Sequence, residues 1–325
     1  MEDFKKLYGE AKEKIDTLLM QVMNGREPAS LYQPAGYIME SPGKRIRPVL
    51  VMFSAKAVGG SWDDVIHASL AVEMLHNFTL VHDDIMDNAD TRRGRQTLHI
   101  KYDLSTAILT GDVLLAAAYE YLQRDLKGNA KAVEHFTKGL IEVCEGQSLD
   151  KDFEIRGEVS LNEYIDMIGK KTAALSRMCC AVGAILGGGS DAEVEALSNY
   201  GYLVGLAFQV QDDLLDITAD ASALGKPVGG DLLEGKKTFL FLKALEKATG
   251  DDLSSLERII TNKGAKPEEI SYFKNLYTNL GVLEDARIEV ERLTNEALHQ
   301  LEVLKNPKDI EMFISLANAL LNRTK

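Results

Sequence analysis

The chain has 325 residues, of which 45% are hydrophobic and 27% are charged, and its formal net charge at pH 7 is −13. These proportions are ordinary for a globular protein and exclude wholesale disorder. The strong negative charge disfavours a general nucleic-acid binder, so we expect no nucleic-acid partner.

The N-terminal segment, residues 1–19, mixes acidic and basic side chains with helical periodicity. It predicts a helix and lacks the basic-then-apolar layout of a signal peptide. The longest apolar runs cover only about a dozen residues, below the ~20 that a membrane-spanning helix needs, so we expect no transmembrane segment. The chain has 3 cysteines, Cys144, Cys179 and Cys180. Their spacing fits neither a zinc site nor a disulfide framework, which favours a reducing, cytoplasmic environment.

The prolines are unevenly placed: Pro28, Pro34, Pro42 and Pro48 lie early, and the next is Pro227. Because proline disrupts helix interiors, its absence from more than half of the chain predicts long packed helices and an all-α fold. Glycine-containing segments predict the connections, at residues 59–60, 128–129, 187–189 and 219–230. Neither a linker nor a change of composition divides the sequence. Residues 1–325 are therefore predicted to form a single domain with an approximate helical pseudo-repeat.

One helix is predicted around residues 74–85, where Met74, Phe78, Val81 and Ile85 recur at helical spacing. The sequence Asp83-Asp84-Ile85-Met86-Asp87 lies at its end, and the same pattern returns as Asp212-Asp213-Leu214-Leu215-Asp216. In a helix, the first and last aspartates of each copy lie on one face, one turn apart.

Such pairs of like charges destabilise a helix unless a counter-charge is bound. Mg²⁺ is the natural candidate, because it commonly combines carboxylates with substrate phosphates. Two carboxylate pairs that faced each other would form a cage for it. The alternative is a chance cluster on a solvated acidic surface. The apolar residues before each motif favour the bound cation, since carboxylates in apolar surroundings need partners.

Basic residues form three clusters in this acidic chain: Lys44, Arg45 and Arg47; Arg92, Arg93 and Arg95; and Lys226, Lys236 and Lys237. Each cluster alone is typical of a solvated surface, but the second follows the first aspartate motif closely. Arginine binds phosphate bidentately and lysine supplies a mobile charge, so with Mg²⁺ these clusters indicate a diphosphate substrate. His76 falls on the helical stripe of Asp83 and Asp87, which indicates a ligand-binding role. Gln209 shares a stripe with Asp213 and Asp216.

These motifs resemble those of the trans-isoprenyl diphosphate synthases, the polyprenyl synthetase family. The resemblance runs from about Lys44 to Lys237 and rests on "GKRIRP", "LVHDDIMDNADTRRG", "GKKTAALS", "FQVQDDLLDITAD" and "GKPVGGDLLEGKKT". It implies an isoprenoid-synthase helical bundle around a central active-site cavity. It also implies a Mg²⁺-dependent prenyltransferase, usually a homodimer, that condenses isopentenyl diphosphate with an allylic diphosphate.

The resemblance implies a role for each matching residue. Isopentenyl diphosphate would be bound by Lys44, Arg47, His76 and Arg93, and the allylic diphosphate by Arg92, Lys171, Lys226 and Lys236. Asp83, Asp87 and Asp212 would bind Mg²⁺ directly, and Asp84, Asp213 and Asp216 would complete the cage, partly through water. Gln147 and Asp150 match a family segment near the same cluster.

The implied reaction is ionisation of the allylic diphosphate followed by condensation. Mg²⁺ and the basic groups would stabilise charge on the departing diphosphate. Dipoles from Gln209 and from the Lys171-Thr172 segment would stabilise the allylic cation, and the released diphosphate would remove the proton. The pocket must exclude water, and residues 219–230, with Lys226, are a candidate lid.

Two other classes of protein share parts of this pattern. A terpene cyclase usually has a second metal motif of mixed Asn/Asp, Ser/Thr and Glu, and it lacks the set represented here by Lys44, Arg47 and Arg93. The non-enzymatic alternatives are a non-catalytic subunit of a prenyl synthase and a metal-binding scaffold, and such subunits have typically lost one aspartate motif. Both motifs are intact here, so we favour the enzyme.

Phe78 and Thr79 occupy the fifth and fourth positions before the first aspartate motif, which has no insertion. This arrangement resembles that of archaeal geranylgeranyl diphosphate synthases, with farnesyl and longer polyprenyl products as alternatives. Phe78 would form the floor of the product tunnel, or it packs as an ordinary core residue of its helix.

Overall fold

A computed structural model describes residues 2–219 and 228–321 of the chain. Regular structure in this part is almost entirely helical, which confirms the all-α prediction. The helices are α1 (Glu2–Leu19), α2 (Ala29–Met39), α3 (Ile46–Ala57), α4 (Ile66–Met86), α5 (Leu98–Lys101), α6 (Leu104–Asp125), α7 (Ala130–Ile155), α8 (Leu161–Ile168), α9 (Ala174–Leu186), α10 (Asp191–Thr218), α11 (Gly230–Leu233), α12 (Phe239–Lys247), α13 (Gly250–Asn262), α14 (Ile270–Asn279), α15 (Val282–Gln300) and α16 (Pro307–Leu321). Short 3₁₀ turns occupy Trp62–Asp64, Pro267–Glu269 and Leu301–Val303, and a π-helical turn occupies Gly169–Ala173.

A short β-hairpin follows the first aspartate motif. Its strands, β1 (Thr91–Arg92) and β2 (Arg95–Gln96), are antiparallel, with Thr91 opposite Gln96. Between them, Arg93 and Gly94 have φ angles of 53° and 75°. Two successive residues with positive φ are typical of the tight turns that join adjacent strands. The sequence analysis did not predict this hairpin, because such short strands carry no alternation to detect.

Polar caps mark where some helices begin. The Oδ1 atom of Asp103, before α6, accepts a hydrogen bond of 2.8 Å from the amide of Thr106. At the start of α8, Ser160 and Glu163 bind each other's amides reciprocally. These bonds satisfy amides that have no partner inside the helix. The connections at residues 59–60, 128–129 and 187–189 lie where the glycines predicted them. Residues 220–227 of the predicted lid lie outside the described part of the chain.

The chain divides into two compact units. Unit 1 comprises Met1–Lys138, Met178–Ser198 and Val303–Met312, and unit 2 comprises Gly139–Arg177, Asn199–Glu302 and Phe313–Lys325. The prediction of a single domain stays a prediction.

In unit 1, α4 packs along α6 and also contacts α1, α2 and α3. The core contains the fully buried side chains of Met52, Phe53 and Leu75. Helix α9 approaches α3 closely, because a Cβ atom on Gly183 would lie only 2.2 Å from the backbone oxygen of Val51. Glycine at this position therefore allows α9 to hold α3, the helix that carries Arg47.

In unit 2, α12 packs against α8, α13 and α15. The hydroxyl of Tyr200 in α10 donates a 2.8 Å hydrogen bond to the backbone oxygen of Phe313 in α16. A Cβ atom on Gly205 would lie 2.7 Å from the Cα atom of Ala173. Helix α10 therefore lies directly against the π-helical turn, and this contact brings Gln209 near Thr172.

Helices long and apolar enough to cross a membrane do not occur among the described residues. All 3 cysteines lie in that part of the chain, where Cys179 and Cys180 are buried and none forms a disulfide bond.

Candidate active site

The first aspartate motif forms the last turn of α4. Asp83 is partly buried, and Asp87, the C-terminal cap, is exposed, so this pair one turn apart is accessible to a ligand. Asp84 is only 4% exposed. Its Oδ1 atom accepts a hydrogen bond of 2.5 Å from Nε of Arg92. Burial raises the pKa of Asp84 above its ordinary value, and the Arg92 guanidinium opposes that rise.

The other two hairpin arginines have different partners. Nη1 of Arg93 donates to the backbone oxygen of Pro42 at 3.2 Å, which ties the hairpin to the segment just before Lys44. Nη1 of Arg95 donates to Oγ of Ser41 at 3.0 Å, and its guanidinium carbon lies 3.8 Å from the centre of the Tyr37 ring. The Arg95 guanidinium is thus held by Ser41 and by the face of the Tyr37 ring.

Arg47 and His76 contact each other, with 3.1 Å between Nη1 of Arg47 and Nε2 of His76. Because a guanidinium only donates, Nε2 must accept and the ring proton lies on Nδ1. Burial, followed by the charges of Arg47 and Arg93, lowers the pKa of His76 well below its ordinary value, so the ring is neutral at pH 7. Nε of Arg47 and Nδ1 of His76 are buried, and neither has a hydrogen-bond partner among the described residues.

Arg45 lies inside unit 1, although the sequence analysis grouped it with Lys44 and Arg47. Its side chain is 3% exposed. Its Nε donates to Oδ1 of Asp16 and its Nη1 to Oε1 of Glu73, each at 2.7 Å, and its Nη2 donates to the backbone oxygen of Ser41 at 2.7 Å. Arg45 therefore stabilises the turn before α3 through these hydrogen bonds. Lys44, by contrast, is exposed to solvent.

The second aspartate motif lies near the end of α10. Asp212 is partly buried, whereas Asp213 and Asp216 are each 4% exposed. Oδ2 of Asp216 accepts a hydrogen bond of 3.1 Å from the amide of Asp231. Its backbone oxygen accepts one of 2.8 Å from the amide of Gly229. Asp216 therefore connects α10 to the start of α11.

Three donors surround the carboxylate of Asp213. Its Oδ2 accepts from the hydroxyl of Tyr164 and, at 3.0 Å, from the amide of Phe239, and its Oδ1 accepts from Nε2 of Gln209 at 3.3 Å. Burial raises the pKa of Asp213 to about 7, although the three hydrogen bonds oppose the rise. The sequence analysis did not identify Tyr164 and Phe239 as partners of Asp213, because both are distant from Asp213 in the sequence and no motif connects them with it.

Lys171 and Thr172 lie on the π-helical turn between α8 and α9. Such turns are frequent at functional sites. Nζ of Lys171 donates to Oδ2 of Asp150 at 2.5 Å, and Oγ1 of Thr172 donates to Oε1 of Gln209 at 3.2 Å. Gln147, in the turn of α7 before Asp150, is 8% exposed, and neither atom of its amide has a hydrogen-bond partner in the described part of the chain. Unit 2 therefore brings these polar groups together.

The lysines after the second motif differ in environment. Nζ of Lys236 lies 2.6 Å from Oε2 of Glu234, and both side chains are well exposed. Nζ of Lys237 donates to the backbone oxygen of Phe153 at 2.8 Å, in the last turn of α7. Lys237 therefore caps a helix end. Lys226, a predicted site residue, lies outside the described residues.

Phe78 and Thr79 lie in the middle of α4. Phe78 is 9% exposed, and its ring centre lies 4.8 Å from that of His82 in an edge-to-face contact. Oγ1 of Thr79 donates to the backbone oxygen of His76 at 2.8 Å. Phe78 therefore packs as a core residue of α4.

Residues 2–219 and 228–321 contain no preformed group of three or more His, Cys, Asp or Glu side chains that could hold a metal ion. The ligands that the aspartate motifs do offer are carboxylate oxygens. Hard oxygen ligands suit Mg²⁺ and Ca²⁺, so the chemistry of each motif fits a hard divalent cation.

Comparison with known proteins places this arrangement in a family. The model of a protein family described as polyprenyl synthetase matches residues 28–277. The geranylgeranyl diphosphate synthase of Methanosarcina mazei is 38% identical over 313 residues, which cover 95% of this chain and 94% of that protein.

Solved structures are similar over almost the whole chain. The geranylgeranyl pyrophosphate synthetase from Pyrococcus horikoshii matches with a TM-score of 0.92 and 34% identity, covering 99% of both chains. A polyprenyl synthase from Caulobacter crescentus, complexed with calcium and isoprenyl diphosphate, matches with a TM-score of 0.89 and 27% identity, covering 99% of this chain and 97% of that one.

Proposed function

The chain belongs to the polyprenyl synthetase family and is a prenyltransferase, and we propose that it condenses isopentenyl diphosphate with an allylic diphosphate. The environment of Arg47 carries this proposal. Its partner is a neutral imidazole, and its buried Nε has no hydrogen-bond partner among the described residues. A desolvated cation needs a compensating anion, and a diphosphate supplies one.

The diphosphate of isopentenyl diphosphate is assigned to Lys44, Arg47, His76 and Arg93. In support, Arg47 contacts His76, and Arg93 binds the segment before Lys44. Because Nε2 of His76 accepts from Arg47, its Nδ1–H is the donor left for a ligand.

The allylic diphosphate is assigned to Arg92, Lys171, Lys226 and Lys236. Asp83 and Asp87 in unit 1, and Asp212 and Asp216 in unit 2, are assigned to bound Mg²⁺. Mg²⁺ characteristically completes its coordination with phosphate oxygens and water. When bound, the ion would neutralise charge that develops on the leaving diphosphate.

The chain's own groups then act on the reacting carbons. The allylic C–O bond breaks and the diphosphate leaves with the electron pair. Oε1 of Gln209 and Oγ1 of Thr172, held 3.2 Å apart, present dipoles that stabilise the allylic cation. The double bond of isopentenyl diphosphate attacks to form the new C–C bond. The departed diphosphate accepts the proton that is lost, so no side-chain base is required.

We propose geranylgeranyl diphosphate as the main product. The similar proteins from M. mazei and P. horikoshii carry that name. The Phe78-Thr79 arrangement also resembles that of archaeal geranylgeranyl diphosphate synthases. A farnesyl product or a longer polyprenyl product is the alternative. Phe78, at 9% exposure, is the candidate floor of the product tunnel.

We also propose that the enzyme is a homodimer. Helix α6 exposes a row of apolar side chains, with Leu104, Ile108 and Leu109 exposed by 53%, 41% and 57%. Contiguous apolar surface commonly marks an interface, and a symmetric contact with a second copy would cover it. We further propose that the whole chain forms one catalytic domain. The free cysteines support a cytoplasmic location.

The proposal is tested by incubating the protein with labelled isopentenyl diphosphate, Mg²⁺ and allylic starters of increasing length, then sizing the products. We expect a twenty-carbon main product. No extension of any starter would refute the proposed function, and a cyclic hydrocarbon formed from the allylic substrate alone would identify a terpene cyclase.

A matched pair of variants tests the diphosphate site. Arg47→Gln should raise KM for isopentenyl diphosphate at least ~10-fold, as expected for the loss of a charge-assisted hydrogen bond. KM for the allylic substrate should change little. The control is Arg287→Gln, at an exposed ion pair in α15, which should leave both values unchanged. Equal effects of Arg47→Gln on the two substrates would contradict the assignment.

A further inference from the structure

The second aspartate of each motif lies in a different environment from the first. Along a helix, adjacent residues point about 100° apart, so a side chain next to the ligand-facing pair turns toward another surface. Asp83 and Asp212 are partly exposed, whereas Asp84 and Asp213 are each only 4% exposed. In both motifs the second carboxylate therefore points into its own unit.

Asp84 is bound to an arginine. Its Oδ1 atom lies 2.5 Å from Nε of Arg92, and its backbone oxygen accepts a 2.9 Å hydrogen bond from Ala89. Bonding through Nε leaves the two Nη groups of Arg92 as the donors that could face a phosphate. Asp84 thus determines which edge of Arg92 is presented.

Asp213 determines the orientation of the side-chain amide of Gln209. Oδ1 of Asp213 accepts a hydrogen bond of 3.3 Å from Nε2 of Gln209, so the NH₂ group of that amide faces Asp213. The amide oxygen of Gln209 then points the other way and accepts from Oγ1 of Thr172 at 3.2 Å. Tyr164 and the amide of Phe239 donate to Oδ2 and hold the carboxylate itself.

We propose that Asp84 and Asp213 are positioning residues rather than metal ligands. Asp84 orients Arg92 toward the allylic diphosphate, and Asp213 orients the carbonyl of Gln209 toward the reacting carbons. The inference rests on the proposed function for the roles of Arg92 and Gln209. It replaces the prediction from the sequence that all six aspartates form the metal cage.

The first test needs no turnover. The affinity for Mg²⁺ is measured by calorimetry in the presence of saturating inorganic diphosphate, with matched substitutions at adjacent positions. Asp83→Asn and Asp212→Asn should weaken Mg²⁺ binding at least ~10-fold through the loss of a ligand charge. Asp84→Asn and Asp213→Asn should leave it within ~3-fold of the wild-type value. A loss in Asp84→Asn as large as that in Asp83→Asn would overturn the inference.

The second test asks whether Asp84 acts through Arg92. Steady-state kinetics are compared for Asp84→Asn, Arg92→Gln and the double variant. Asp84→Asn should lower kcat at least ~10-fold, because a misoriented Arg92 would stabilise the charge on the departing diphosphate less well. In the double variant it should add nothing to the effect of Arg92→Gln. Fully additive losses would show that Asp84 acts on something other than Arg92.

The same comparison applies to Asp213 with Gln209→Leu as the second substitution, and fully additive losses there would show that Asp213 does not act through Gln209. Because Asp213 has several partners, the folding of each variant is checked by thermal unfolding. If Asp213→Asn does not fold, Tyr164→Phe tests the role of Asp213 instead. This variant removes one hydrogen bond to the Asp213 carboxylate and leaves the carboxylate in place. It should lower kcat at least ~3-fold with Mg²⁺ affinity unchanged. An unchanged kcat in Tyr164→Phe would overturn the role of Asp213.

The two proposals fail in different ways. If the wild-type protein extends no allylic starter, the proposed function is wrong, while the calorimetric comparison still reports which aspartates bind metal. If the wild-type protein is active and the second aspartates prove to be metal ligands, only the present inference fails.

Discussion

Replacing Arg45 with methionine should destabilise the protein by about 3–5 kcal/mol. The Arg45 guanidinium makes hydrogen bonds of 2.7 Å to Asp16, to Glu73 and to the backbone oxygen of Ser41. Methionine is similar in length but donates none of them. It would leave Glu73, whose side chain is 4% exposed, as a buried charge without its counter-ion. Each kcal/mol shifts the Tm of a large domain by about 2 °C, so we expect a decrease in Tm of roughly 6–10 °C.

Thermal unfolding followed by circular dichroism measures this effect. The control is Arg287→Met, because Arg287 is 55% exposed and pairs at 3.1 Å with an exposed Glu284. Loss of such a surface ion pair should cost no more than ~1 kcal/mol. A double variant, Arg45→Met with Glu73→Leu, removes both charges and should recover part of the lost stability, since apolar replacements of buried ion pairs are often neutral.

Two results would refute this reasoning. A Tm of Arg45→Met within ~2 °C of the wild-type value would show that the buried ion pair contributes no more than a surface pair. A double variant no more stable than Arg45→Met would show that the unpaired charge of Glu73 is not the source of the loss.

Three further predictions follow from individual side chains. Burial raises the pKa of Asp16, but hydrogen bonds from Lys12 and Arg45 outweigh it and the folded-state pKa is lowered. The ionised Asp16 carboxylate stabilises the fold above its unfolded pKa of about 3.9, and this stabilisation is lost as the pH falls through the lower folded pKa. The difference in Tm between wild type and Arg45→Met should therefore shrink between about pH 5 and pH 2. A difference that widens over this range would contradict the reasoning. Gln147→Leu should keep Tm within ~2 °C, because the buried amide has no hydrogen-bond partner in the described part of the chain, and a large decrease would reveal one. Phe78→Ala should cost about 3–5 kcal/mol and lengthen the main product by at least one five-carbon unit, and an unchanged product in a destabilised variant would exclude Phe78 from length control.

Local sequence signals were sufficient for the elements that carry the aspartate motifs. Met74, Phe78 and Val81 predicted the helix that the structure shows as α4 (Ile66–Met86). The spacing within each motif also predicted which carboxylates share a helix face. Both inferences depend on helix geometry alone, which is regular over a few residues whatever the rest of the chain does.

The partners of the charged residues could not be predicted in the same way. Arg45 and Arg47 look alike in the sequence, yet Arg45 binds Asp16 and Glu73 inside unit 1, whereas Arg47 contacts His76. The difference arises because the turn before α3, where Arg45 has a φ angle of 54°, directs the two side chains to different surroundings. Neither composition nor spacing specifies that direction.

The sequence by itself determined the helical class, the two aspartate motifs and the basic residues that accompany them. These follow from periodicity and from the chemistry of residue types, which act over one or two helical turns. The tertiary structure decided which groups are paired, which are buried and which remain accessible to a ligand. Asp83 and Asp84 are neighbours of identical chemistry, yet one is partly exposed and the other is 4% exposed and bound to Arg92. Burial depends on packing between segments that are distant in the chain, so no local pattern can encode it.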